Sequence, residues 1–79
     1  MRRSAQVSLH IEEDDQETTV HARLDLQADR FESYGKARRN PDDPILPAVG
    51  EELAIARALG SLTAQIMEAA QDRITELLA

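Results

Sequence analysis

The sequence predicts an α+β fold: a three-stranded antiparallel sheet with a long C-terminal helix on one face, in the order β-β-β-α. Three observations carry that reading. Apolar residues alternate with polar ones over three short segments of the first half. Three prolines then prevent regular pairing. From there to the end, apolar residues recur at three- and four-residue steps.

The first strand is drawn by Val7, Leu9 and Ile11, which alternate with Ser8, His10 and Glu12. A period of two marks a half-buried strand. The acidic stretch from Glu12 to Glu17 interrupts it. Val20, Ala22, Leu24 and Leu26 then alternate with His21, Arg23 and Asp25 as a second strand. The two form a hairpin whose turn lacks the Asn-Gly or Asp-Gly dipeptide, so a longer charged loop is expected. Pairing Ile11 with Val20 sets His10 directly opposite His21.

A third strand is expected from Phe31 to Arg38, after a turn near Ala28 and Asp29. Phe31, Ser33, Gly35 and Ala37 share one face, while Glu32, Tyr34, Lys36 and Arg38 share the other. The first set is mostly small, which lets a helix backbone approach closely. Pro41, Pro44 and Pro47 follow. Pro47 suits the first helical position, where a missing N–H is no loss. Glu51 and Glu52, in or near the first turns, complement the helix dipole.

From Ala48 to Leu78 the pattern is helical. About thirty residues span roughly 45 Å at 1.5 Å each, whereas strands of seven or eight residues span about 25 Å. The helix therefore overhangs the sheet or breaks, and Gly60-Ser61 and Gln71-Asp72-Arg73 are the candidate break points. An overhang carrying Ile74, Leu77 and Leu78 exposes apolar surface of the kind that meets a partner. The expected core is Val7, Leu9, Ile11, Val20, Ala22, Leu24, Phe31, Leu53, Ala56, Leu59, Leu62 and Ile66.

A chain of 79 residues makes one domain, 1–79, with a small core. Phe31 and Tyr34 are its only aromatics, so that core is aliphatic. The net charge of −6 argues against general attraction to nucleic acid, yet Arg30, Lys36, Arg38 and Arg39 cluster with only Glu32 among them. There is no cysteine, which excludes disulfides, thiolate metal sites and Cys nucleophiles. The amino terminus has no signal-peptide core and no apolar run reaches a membrane span, so a cytoplasmic protein with no membrane contact is expected.

The stretch from Lys36 to Leu59 carries a family resemblance. ARRNP (Ala37 to Pro41), then a Pro and a Gly ahead of EELAIARAL (Glu51 to Leu59), with the VSLHIEE and HARL segments, resembles a small actinobacterial family of unknown function. The resemblance runs from Val7 to about Ile74. It implies a fold like the double-stranded-RNA-binding domain and a homodimer. It also implies a stress- or dormancy-linked role at the ribosome, through a mycobacterial member compared in shape to hibernation-promoting factors. The sequence departs from the family pattern at Asp15-Gln16, where relatives often have glycine, and at Glu32, Ser33 and Tyr34, where they favour Val and Gly. No catalytic residues are established in the family.

Each candidate constellation has a plain structural counterpart. His10 and His21 would bind a metal or sense pH, or stand as two solvated histidines; without a neighbouring carboxylate or thiolate the expectation is no metal and no cofactor. Arg23, Tyr34, Lys36 and Arg38 would share the outer sheet face with them, and Arg39 follows. Such a set contacts RNA by phosphate pairing and stacking, or serves as a solvated or dimeric face. The acidic hairpin tip lacks calcium-loop spacing. Asn40, Asp42 and Asp43 are expected to cap the connector or helix start, with Arg38 and Arg39 paired to these acids. No nucleophile, acid–base set or phosphate loop is evident, so neither enzymatic activity nor a small-molecule substrate is expected. The function expected is a non-catalytic dimer that meets ribosome or RNA; the alternative is a protein–protein interaction module with no nucleic-acid role.

Overall fold

The structure, a computed structural model, describes residues 1–44 and 46–79. Strands β1 (Val7–Glu13), β2 (Glu17–Asp25) and β3 (Arg30–Arg38) precede one helix, α1 (Pro47–Leu78). The sheet is antiparallel in the order β1-β2-β3. The expected β-β-β-α architecture is the one found.

The β1–β2 hairpin is tighter than expected. The strands continue through Glu12-Glu13 and Glu17–Thr19, leaving only Asp14, Asp15 and Gln16 as the loop. Asp14 replaces the missing glycine chemistry. Its Oδ1 accepts from the backbone N–H of Gln16 (2.7 Å) and of Glu17 (2.8 Å), an Asx turn that closes the hairpin. The β2–β3 turn is closed by Leu26 N–H donating to Asp29 O at 2.8 Å.

Register places Val7, Leu24 and Phe31 in one row of the inner face, Leu9, Ala22 and Ser33 in the next, and Ile11, Val20 and Gly35 in the third. The helix lies against this face, packing on β3 and β2. Val20, Ala22, Ala37, Ala54, Ala58 and Leu62 form the buried core, with Leu24, Phe31, Ile55 and Ile66 packed around it. A Cβ on Gly35 would collide with the backbone of Ala54 and Ala58. Ser33 Oγ donates to Ala58 O at 2.6 Å in the same contact. Small residues thus face small residues, and the helix sits close to the strand.

That closeness overturns part of the expected core. Leu53, Ala56 and Leu59 are exposed, because the helix turns its alanine face, Ala54 and Ala58, into the sheet. The larger side chains would hold the backbones apart. Val7, Leu9 and Ile11 are also exposed, at 43%, 40% and 38%. They lie on the helix side of the sheet, but the helix is displaced toward β3 and leaves β1 uncovered.

The helix neither breaks at Gly60-Ser61 nor at Gln71–Arg73; it runs unbroken for 32 residues. Arg73 is tied to Asp29 in the β2–β3 turn, so Ile74, Leu77 and Leu78 extend beyond the sheet as exposed apolar residues. Pro47 is at its first turn, as expected, but that turn holds no acid. Glu51 and Glu52 begin one turn later, where the dipole effect has largely faded.

Candidate binding faces of the sheet

Two surfaces come out of this arrangement. The outer face of the sheet holds the residues singled out by sequence. The uncovered strip over β1 does not depend on any of them.

On the outer face, register aligns His10, His21 and Tyr34 in one row across the three strands. His21 and Tyr34 stack with ring centroids 4.6 Å apart and planes 15° apart. Tyr34 is exposed, at 67%. His21 Nε2 is shut off from solvent and has no hydrogen-bond partner among the described residues; the carboxylate of Glu32 stands 3.8 Å away. His10 Nε2 lies 3.7 Å from Glu12 Oε1. The expectation that these histidines lack carboxylate neighbours therefore fails. Even so, no group of three or more His, Asp or Glu converges to hold a metal among the described residues.

The basic residues of this face are largely engaged. Arg23 pairs with Asp25 (3.1 Å), Arg30 with the same carboxylate (2.7 Å), and Lys36 with Glu17 (3.5 Å). Arg30 holds the Asp25 carboxyl below its usual value by hydrogen bonding, and Arg23 adds charge attraction; the same bond raises Arg30. Arg38 shares the face, opposite Glu17, and forms no ion pair among the described residues.

Arg39 does something else. Its guanidinium donates to Asp15 O (3.0 Å) and Asp43 O (2.8 Å), and more distantly to Asn40 O and Pro41 O. It ties the hairpin loop to the proline connector through carbonyls, not through the expected carboxylates. Asn40 Oδ1 accepts from Asp42 N–H at 3.2 Å, which shapes the connector. The helix start, with Leu46 before it, has no side-chain cap. A cleft of about 430 Å³ opens beside this junction, between the acidic hairpin loop, Arg38, Arg39 and the helix residues Val49, Gly50 and Leu53.

Over β1, the two sheet edges differ. At the β3 edge, Arg57 Nη1 donates to Lys36 O and Gln65 Nε2 to Glu32 O, each at 2.7 Å. The helix thereby covers backbone acceptors that another strand would use. The β1 edge carries no such cover among the described residues. Successive helix residues turn by about 100°, so Leu59 lies on the flank opposite Arg57 and borders the exposed β1 row. Sequence reasoning placed Val7, Leu9, Ile11 and Leu59 in the core, because alternation marks a face, not whether the helix reaches it.

No described helix is long and apolar enough to cross a membrane. A family model described as Rv2632c-like matches residues 3–79. The uncharacterized protein Rv2632c of Mycobacterium tuberculosis is 39% identical over 64 residues, covering 81% of this chain and 69% of the relative. The uncharacterized protein Mb1767 of Mycobacterium bovis is 36% identical over 62 residues, covering 78% and 66%. The crystal structure of Rv2632c superposes with a TM-score of 0.87 at 34% identity, covering 96% of this chain and 90% of that one.

Proposed function

The chain belongs to the Rv2632c-like family, whose relatives here are uncharacterized, and from that footing we propose a small non-catalytic binding protein that works as a homodimer. The observation that carries the reading is the inequality of the sheet edges. The β3 edge is covered by Arg57 and Gln65, while β1 presents an unpaired edge and an exposed apolar row. Bare apolar edges are sites of strand addition.

Two copies of β1 paired antiparallel about Leu9 would set Val7 against Ile11 of the second copy on the inner face, and Ser8 against His10 on the outer. That register keeps every apolar residue of the row matched, and the hydrophobic pattern is what fixes register. Sedimentation should give a dimer at micromolar concentration. Directly opposed residues have Cα atoms about 4.5–5.5 Å apart, within the disulfide range. In a chain without cysteine, Leu9→Cys should therefore form a covalent dimer on mild oxidation, while Val7→Cys should not. A monomer persisting at high micromolar concentration overturns the reading.

A second reading is supported by the His21–Tyr34 stack with Lys36 and Arg38 beside it: the outer face contacts single-stranded RNA, with the stress-state ribosome as its source. What supports the ribosome is the family resemblance of the sequence. Arg23, Tyr34, Lys36 and Arg38 would make the contact; Arg39, whose Nε and Nη1 are engaged by loop carbonyls, would add only its Nη2. Affinity capture from stationary-phase cells, with and without ribonuclease, separates the readings. Ribonuclease-sensitive recovery of ribosomal components supports RNA contact. Partners that survive the treatment point to a protein-interaction module.

A further inference from the structure

The outer face is not the basic surface that its sequence suggests. Its residues, fixed by register, include four bases, Arg23, Arg30, Lys36 and Arg38, and four acids, Glu12, Glu17, Asp25 and Glu32. With both histidines neutral the face carries no net charge, and the chain as a whole carries −6. Such a surface holds a polyanion poorly, because phosphate affinity rests on local excess of positive charge.

His10 and His21 lie in the middle row of that face, and imidazole is the side chain that ordinarily changes charge between pH 8 and 5. Protonating both gives the face a net charge of +2. A carboxylate stands beside each ring. His21 Nε2 is an enclosed nitrogen without a partner, and a buried polar atom left so calls for an explanation. As an N–H⁺ it would point its charge at Glu32, 3.8 Å away, after a small closure. A protonated ring against Tyr34 also gains cation–π attraction. His10 has Glu12 at 3.7 Å in the same way. Around this row stand Arg23 and Glu32 on one side, and Lys36 and Glu12 on the other. Each side is balanced, so the histidines decide the sign.

We infer that the outer face is an acid-activated anion surface, which takes single-stranded RNA on Tyr34, Lys36 and Arg38 once His10 and His21 are protonated. This rests on the RNA reading above and adds its regulation. The test is fluorescence anisotropy of a labelled oligouridylate, whose bases do not titrate in this range, from pH 8 to pH 5.5. Binding should tighten roughly tenfold over that interval. The salt slope should steepen by about 0.7 for each phosphate contact added. His10→Gln with His21→Phe, which keeps a ring under Tyr34, should bind without pH dependence.

A readout in the unaltered protein stands beside the variants. Linkage is reciprocal, so oligouridylate should raise the midpoints at which the histidine ring signals titrate by NMR. Binding with a flat pH profile, or unmoved histidine midpoints, overturns the inference and leaves RNA contact standing. No binding at any pH overturns both.

Discussion

Gly35 and Gly60 show how one substitution reverses sign with its surroundings. At Gly35 a methyl group would run into the Ala54 carbonyl and the Ala58 backbone. No flexible side chain is there to give way, so the helix must lift from the sheet and loosen the Ser33–Ala58 bond. Overpacking of this kind costs about 1–3 kcal/mol or more. At Gly60 a methyl group meets nothing within 4 Å, and an exposed helical Gly→Ala gains about 0.5–1 kcal/mol. Gly35→Ala should lower the thermal midpoint and Gly60→Ala should raise it, by roughly 4–8 °C per kcal/mol in a domain this size. Circular dichroism melts at one protein concentration check both. The Gly35 half was legible in sequence, since alternation put a Gly on the inward face. The helical half was not. Leu53 and Leu59 look like core by size, yet the small side chains Ala54 and Ala58 win the interface because they permit the closer approach.

At the scale of elements, periodicity located all three strands and the helix, and it set the Ile11–Val20 register. It did so because each strand has one face held by apolar neighbours. Where local chemistry replaced pattern, the reading faltered. Asp14 closes a three-residue turn by accepting two backbone hydrogen bonds, which a search for Asn-Gly or Asp-Gly does not find. Arg39 ties two loops together by donating from Nε and Nη1 to their carbonyls, which no spacing rule announces. The helix does not break at Gly60 because that position is exposed and carries no packing demand, while Arg73 fixes the last turns to Asp29. Composition alone also hid the neutral outer face. The bases are clustered in β3, but their acids come from β1 and β2 as well, and only pairing brings them together.

At the scale of the molecule, the acid response of stability is separable from the proposed acid response of binding. The Gln16 and Glu17 amides hold the Asp14 carboxyl below its usual value of 3.8, and Arg30 does the same for Asp25. A carboxyl depressed in the folded state contributes stability that is complete above its unfolded pKa. The contribution is lost as pH falls through the lower folded value. Both turns that these residues support, one at each end of β2, should therefore hold at pH 5.5 and weaken only below about 4. Urea midpoints at fixed protein concentration should not fall between pH 7 and pH 5 and should then drop toward pH 3. Asp25→Asn should flatten part of that fall. A midpoint that already drops between pH 7 and pH 5 would place histidine protonation in competition with folding. Tighter RNA binding at pH 5.5 would then count for the charged face only if circular dichroism at that pH, without urea, still gives the folded spectrum. A midpoint that holds or rises over the same interval leaves the charge of the outer face as the quantity that changes.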